Sequence, residues 1–170
     1  PVANKKDSQD ICFIDDGDYA GFIKGKTGSL GKPGKFVTAD KKVLGEHTGT
    51  VQYTIGQRKG LGIAVGYPLY VCGINAETGE IKLGKQDELY STQLIADNLN
   101  YMGEDHFEPD KIYHAKVRYS QDSIPCKVTY LNENEIRVDF LEKVRAITPG
   151  QALVLYTEDW VAGGGTIARL

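Results

Sequence analysis

From Ile112 to Tyr119 the side chains alternate in character. Tyr113, Ala115, Val117 and Tyr119 fall on one face, and His114, Lys116 and Arg118 fall on the other. A period of two marks a strand with one face against a core and one in water. The pattern returns at Val128 and Tyr130 against Lys127 and Thr129. It returns again at Ile136, Val138 and Phe140 against Arg137 and Asp139, with Asn132-Glu133-Asn134 as the tight turn between them. Ala152 to Tyr156 and Trp160 to Ala168 add further strands. Five or six short antiparallel strands leave exposed edges unless they close, so this half of the chain predicts a small barrel.

The half before it is also strand-rich, with shorter elements. Phe36-Val37-Thr38 and Val43-Leu44 flank the turn residues Ala39-Asp40-Lys41-Lys42. Leu69 to Ile74 and Glu80 to Leu83 flank Asn75-Ala76-Glu77-Thr78-Gly79. Each pair reads as a hairpin. Gly17-Asp18 before Tyr19, Phe22 and Ile23 reads as a capped short helix, because an aspartate accepts the first free amides. Gly25 to Gly34 reads as loop, and Asp87 to Thr92 as the crossing between units. The expected fold class is mainly β: a small central β-rich domain over 23–90, then a C-terminal antiparallel β-barrel over 91–170. Residues 1–22 read as the tail of a preceding domain.

Cys12 opens the apolar triplet Cys12-Phe13-Ile14, directly after a polar, turn-like run. Lys5 and Lys6 favour thiolate there, whereas Asp7, Asp10, Asp15, Asp16 and Asp18 oppose it. Chemistry alone leaves two readings, a candidate nucleophile and a small buried hydrophobe. Cys72, inside an apolar strand, reads as core packing, and Cys126 follows Pro125 at a strand start. No Cys-x-x-Cys pair or histidine cluster points to a metal. His47 has no ligand partner at useful spacing and reads as a hydrogen-bonded structural residue. Gly56-Gln57-Arg58-Lys59-Gly60-Leu61-Gly62 is open to two readings. It is a backbone anion nest with two cations, or a glycine-rich connection whose Arg58 and Lys59 tie neighbouring acids. The net charge is −3, with 12 basic and 11 acidic side chains in residues 1–92 and 8 and 12 in residues 93–170. Neither half is broadly basic, so any contact with nucleic acid must be local. No apolar run approaches a membrane span.

Several strings recur in one known family in this order and spacing: Gly45-Glu46-His47-Thr48-Gly49, Tyr53-Thr54-Ile55-Gly56-Gln57-Arg58-Lys59-Gly60-Leu61-Gly62-Ile63, Ala115-Lys116-Val117-Arg118-Tyr119, Ala146-Ile147-Thr148-Pro149-Gly150-Gln151 and Val161-Ala162-Gly163-Gly164-Gly165-Thr166-Ile167. The chain resembles the tRNA-specific 2-thiouridylases over nearly its whole length. That resemblance implies part of an ATP-dependent sulfurtransferase that thiolates the 2-position of the wobble uridine, U34, of tRNA. It makes Cys12 the catalytic cysteine that carries a persulfide. It makes Lys5, Lys6, Arg118, Tyr119 and Gln151 tRNA-binding, with Arg58 and Lys59 as further candidates for RNA contact. Tyr119 keeps a rival reading as a core residue, since its alternation partners are apolar.

Family members are about twice this length. They begin with an ATP pyrophosphatase domain that holds ATP with Mg and a second cysteine, which closes a disulfide with Cys12 as the thiolated base leaves. The chain is therefore expected to be the C-terminal part of a longer cytoplasmic enzyme, to bind no cofactor by itself and to be inactive alone. The implied partners are tRNA and a sulfur-relay or cysteine desulfurase donor protein, with no membrane. The alternative is a catalytically silent RNA-binding β module.

Overall fold

The computed structural model describes residues 18–158 and 160–169. The expected capped helix is α1 (Tyr19–Thr27). Asp18 caps it, its carboxylate accepting from the Gly21 amide at 2.9 Å. Gly28 ends it at φ 73°, a left-handed conformation that suits glycine. The helix runs three residues into the stretch expected as loop. The boundary expected between residues 22 and 23 falls inside it.

A four-stranded sheet follows, made of β1 (Gly34–Val37), β2 (Val43–His47), β3 (Tyr70–Ile74) and β4 (Ile81–Gly84), in the order β2-β1-β4-β3. Both expected hairpins are present. β1 and β2 pair antiparallel, as do β3 and β4, and a short parallel contact between β1 and β4 joins them. In the second turn the Asn75 side-chain oxygen accepts from the Glu77 and Thr78 amides, which bends the chain back on itself. Phe36, Leu69, Val71, Ile81 and Leu83 form the core of this sheet, and Ile55 and Leu61 from the connecting loop close it. His47 is buried, its Nε2 2.8 Å from the Gly79 carbonyl and its ring against Phe36 and Tyr53. It is the structural histidine the sequence suggested.

Six antiparallel strands then close the expected barrel: β5 (Tyr90–Tyr101), β6 (Tyr113–Lys116), β7 (Ile124–Asn132), β8 (Glu135–Arg145), β9 (Ala152–Thr157) and β10 (Trp160–Arg169), in the order β10-β5-β8-β7-β6-β9. Sequence patterning misses β5, the longest strand. Its Leu94 and Ala96 face the core, but Asp97, Asn98 and Asn100 interrupt the apolar alternation. Asn98 takes φ 48° and the pairing with β10 slips nearby, so the strand bends where its pattern breaks. β6 ends at Lys116, three residues earlier than the alternation suggests.

The 102–112 segment stops one end of the barrel. Phe107 is fully buried against Tyr101 and Tyr113, and its amide donates to the Tyr130 hydroxyl at 2.9 Å. Glu104 accepts from the Tyr113 hydroxyl at 2.6 Å and pairs with Lys111. The Lys111 and Tyr113 hydrogen bonds hold the Glu104 carboxyl below its ordinary pKa. A depressed folded pKa contributes stability above the unfolded value, and that stability is lost as pH falls through the folded one. Glu104→Gln is therefore expected to lower the melting temperature at neutral pH, with the gap from wild type narrowing as pH drops below about 4.5. A gap that stays constant from pH 7 to pH 3 would rule this out.

Candidate nucleic-acid interface

The two β units meet at a seam built by three segments. The first is the exit of β8. Ala146 leaves the barrel at φ 54°, its amide donates to the Leu89 carbonyl at 2.8 Å, and its methyl joins the core of the four-stranded sheet. The second is the loop at Ile55-Gly56. A Cβ on Gly56 would stand 3.3 Å from the Ala146 Cβ, and Gly56 has φ 90°, so a side chain there is opposed by both space and backbone. The third is the bend after β6, which brings Arg118 underneath.

Arg118 spends one nitrogen on this seam. Its Nη2 donates to the Ala146 carbonyl and Thr148 Oγ1 at 2.8 Å each, and to the Ile55 carbonyl at 3.2 Å. Burial, and then the charge of Arg145, push the guanidinium below its ordinary pKa. The sequence expectation needs correcting here. Alternation turns Arg118 away from the core and into water, where its loss would leave folding untouched. In the structure the strand has already ended, and the guanidinium ties the barrel to the sheet.

The same early end of β6 places Tyr119. It lies in a turn and is 85% exposed, which overturns the core alternative. Gln151 is exposed just before β9. Its backbone N–H donates to the Thr148 carbonyl at 3.2 Å, so Thr148 links it to Arg118. Arg58 and Lys59 are exposed on the loop that follows Ile55, and neither forms an ion pair among the described residues. One reading of that glycine-rich string therefore changes. The amides of Gly56 and Gln57 are committed to the Val71 and Thr54 carbonyls and are not open to an anion, and the two cations tie no acids among the described residues. Gln57 stiffens the loop instead, accepting from the Thr54 amide and donating to the Lys59 carbonyl.

Arg118 and, through Thr148, Gln151 thus meet at the seam, with Tyr119 next to Arg118 in the chain and Arg58 and Lys59 on the loop that leaves it. Lys5, Lys6 and Cys12 lie outside the described residues. Patterning missed Arg145 and Thr148. The only signal for Arg145 was its place directly before the Ala146–Gln151 string.

The two described cysteines are poor nucleophiles. Burial pushes Cys126 up to about 12 and Cys72 up to about 11, where Glu88 adds to the effect. Cys126 is fully buried. Cys72 is only half-buried and borders a cleft of about 370 Å³ between the units, which Ile55, Thr148 and Pro149 also line. No group of potential metal ligands occurs among the described residues. None of the described helices is long and apolar enough to cross a membrane.

Comparison with known families divides the chain at the same seam. Residues 20–85 match the tRNA methyl transferase PRC-barrel domain, and residues 91–167 match the aminomethyltransferase β-barrel domain. The tRNA-specific 2-thiouridylase MnmA of Lachnoclostridium phytofermentans is 46% identical over 168 residues, covering 99% of this chain and 47% of that protein. MnmA 2 of Clostridium botulinum is 46% identical over 169 residues, covering 99% and 48%. MnmA of Acetivibrio thermocellus is 46% identical over 166 residues, covering 98% and 46%. The chain spans about half the length of these relatives, and it belongs to the tRNA-specific 2-thiouridylase family.

Proposed function

We propose that this chain forms the tRNA-holding part of a tRNA-uridine 2-sulfurtransferase, and that Cys12 carries the sulfur. What supports the reading is the identity of 46% spread over 99% of the chain with a tRNA-specific 2-thiouridylase. The seam agrees chemically. An arginine fork, an exposed tyrosine and a glutamine amide offer a phosphate clamp, a stacking surface and a base or sugar contact. In this reading Lys5 and Lys6 steer the RNA backbone past Cys12. A donor protein would load Cys12 with a persulfide, the outer sulfur would displace the ATP-activated 2-oxygen of the wobble uridine, which leaves on AMP, and a second cysteine outside this chain would close a disulfide with Cys12 as the thiolated base is released.

We do not place ATP on the described residues. The helix α1 begins at a carboxylate rather than a glycine-rich phosphate loop, and the amides at Gly56 and Gln57 are already bonded. We assign ATP with magnesium to the half of the relatives that this chain does not span.

Thiol chemistry tests the sulfur-carrying role. A pKa of about 11 leaves Cys72 with roughly one thiolate in a thousand at pH 8, and Cys126 has fewer. Iodoacetamide is therefore expected to label Cys12 first by a wide margin in the folded chain. A persulfide donor is expected to leave one extra sulfur on the Cys12 peptide by mass spectrometry. Labelling of Cys72 as fast as Cys12, or extra sulfur spread over all three cysteines, would defeat the assignment.

A further inference from the structure

We propose that Arg145 and Arg118 together form an anion site at the seam that takes a phosphodiester of the bound RNA. The proposal rests on the tRNA reading above and extends it to a residue and an atom. Three observations carry it.

The first is that Arg118 is held before any ligand arrives. All its side-chain hydrogen bonds among the described residues use Nη2. Its Nε is buried without a partner, while Nη1 is neither bonded nor sealed from solvent. One end of a rigid fork is fixed and the other is left to bind. The second is the position of Arg145. Its Nη1 lies 4.0 Å from where a Cβ on Gly56 would stand, in the same corner as the Ile55 carbonyl that Arg118 holds. The Gln121 amide nitrogen donates to the Arg145 carbonyl at 3.1 Å, which fixes that backbone, and the side-chain oxygen of Gln121 is buried without a partner.

The third is the missing counter-charge. The ion pairs among the described residues join Lys41 to Glu80, Lys82 to Glu88, Lys111 to Glu104, Arg137 to Asp139 and Arg169 to Glu135, and none reaches Arg118 or Arg145. Two guanidiniums that repel each other at a partly buried seam, with no carboxylate between them, are relieved by an anion. A phosphate oxygen placed between them would accept from both. Arg58 and Lys59, exposed on the adjoining loop, would extend the track along the RNA backbone.

The test uses this chain with Arg145→Gln and Arg145→Lys. Binding is measured to inorganic pyrophosphate and to an unmodified anticodon stem-loop RNA across a salt series, with melting temperatures recorded without ligand. Arg145→Gln is expected to weaken RNA binding about five- to twenty-fold, lower the salt slope by about one contact and remove the stabilisation by pyrophosphate. Arg145→Lys should restore part of each, with the ligand-free melting temperature of neither variant falling below that of wild type. If neither wild type nor variant binds the RNA but pyrophosphate still stabilises through Arg145, the tRNA reading fails and the anion site stands. Wild-type binding of both probes by Arg145→Gln would overturn the site. So would a loss of binding that follows a fall in ligand-free melting temperature and is not recovered by lysine.

Discussion

Gly164→Ala is expected to cost the barrel about 3–5 kcal/mol, at the severe end for a single substitution. A Cβ at Gly164 would stand 2.0 Å from the Leu153 carbonyl oxygen and 3.3 Å from the Val154 Cα. Those atoms belong to β9, to which Gly164 is paired, and on its other side Gly164 is paired to Asn100 of β5. The strand cannot move away from one neighbour without losing the other, because a closed barrel has no free edge to absorb a shift. Gly165 is similarly confined, with the Asp97 carbonyl oxygen 2.5 Å from its would-be Cβ. Since a domain's whole stability is about 5–15 kcal/mol, the variant should unfold at much lower urea with little change in slope. Gly25→Ala is the control. It lies in α1 with nothing within 4 Å of the added carbon, so it should stabilise by roughly 0.5–1 kcal/mol. A Gly164→Ala midpoint equal to wild type would show that the barrel does not depend on this close approach.

The triple glycine shows what a sequence does and does not disclose. Val161 to Ile167 reads as a strand, but nothing in it says that bare backbone is needed against two neighbours at once. The hairpins and the barrel were legible because burial on one face imposes a two-residue period, and β7 and β8 keep that period through Val128, Tyr130, Ile136 and Val138. β5 was not legible, because Asn98 turns the strand at positive φ and polar residues occupy that bend. The seam was half legible. Its strings stand out in the sequence through the family resemblance, so Arg118, Tyr119 and Gln151 were named. Their environments were not, because they follow from where β6 stops. A strand running to Tyr119 would bury that ring and expose Arg118, whereas a strand ending at Lys116 does the reverse. Local alternation cannot locate that end, because the seam's carbonyl acceptors come from Ile55 and Ala146, 63 and 28 residues away.

The position of that arginine sets the last expected result. Arg118→Ala should destabilise the chain by about 2–4 kcal/mol and loosen the junction of the two units. Removing the guanidinium strips a donor from the Ile55 and Ala146 carbonyls and from Thr148 Oγ1. Stranding a buried acceptor costs about 1–3 kcal/mol, and Thr148 offsets part of this because its hydroxyl already reaches the Ala146 carbonyl at 3.1 Å. The loss should be local at first. Amide exchange should rise at Gly56 and Val71, whose bonds pin the seam loop to β3, before it rises in β7 and β8, which lie wholly within the barrel. Arg118→Lys should recover charge but not the rigid fork that reaches three acceptors from one nitrogen, so it should restore little of the stability. RNA affinity should fall in both variants, and by more than Arg145→Gln produces, because Arg118 both contacts the phosphate and holds the corner that Arg145 lines. Equal exchange at Gly56 and Val71 in wild type and Arg118→Ala would mean that the arginine ties nothing together. The stability loss and the ordering of the two arginine variants would then both have to be abandoned.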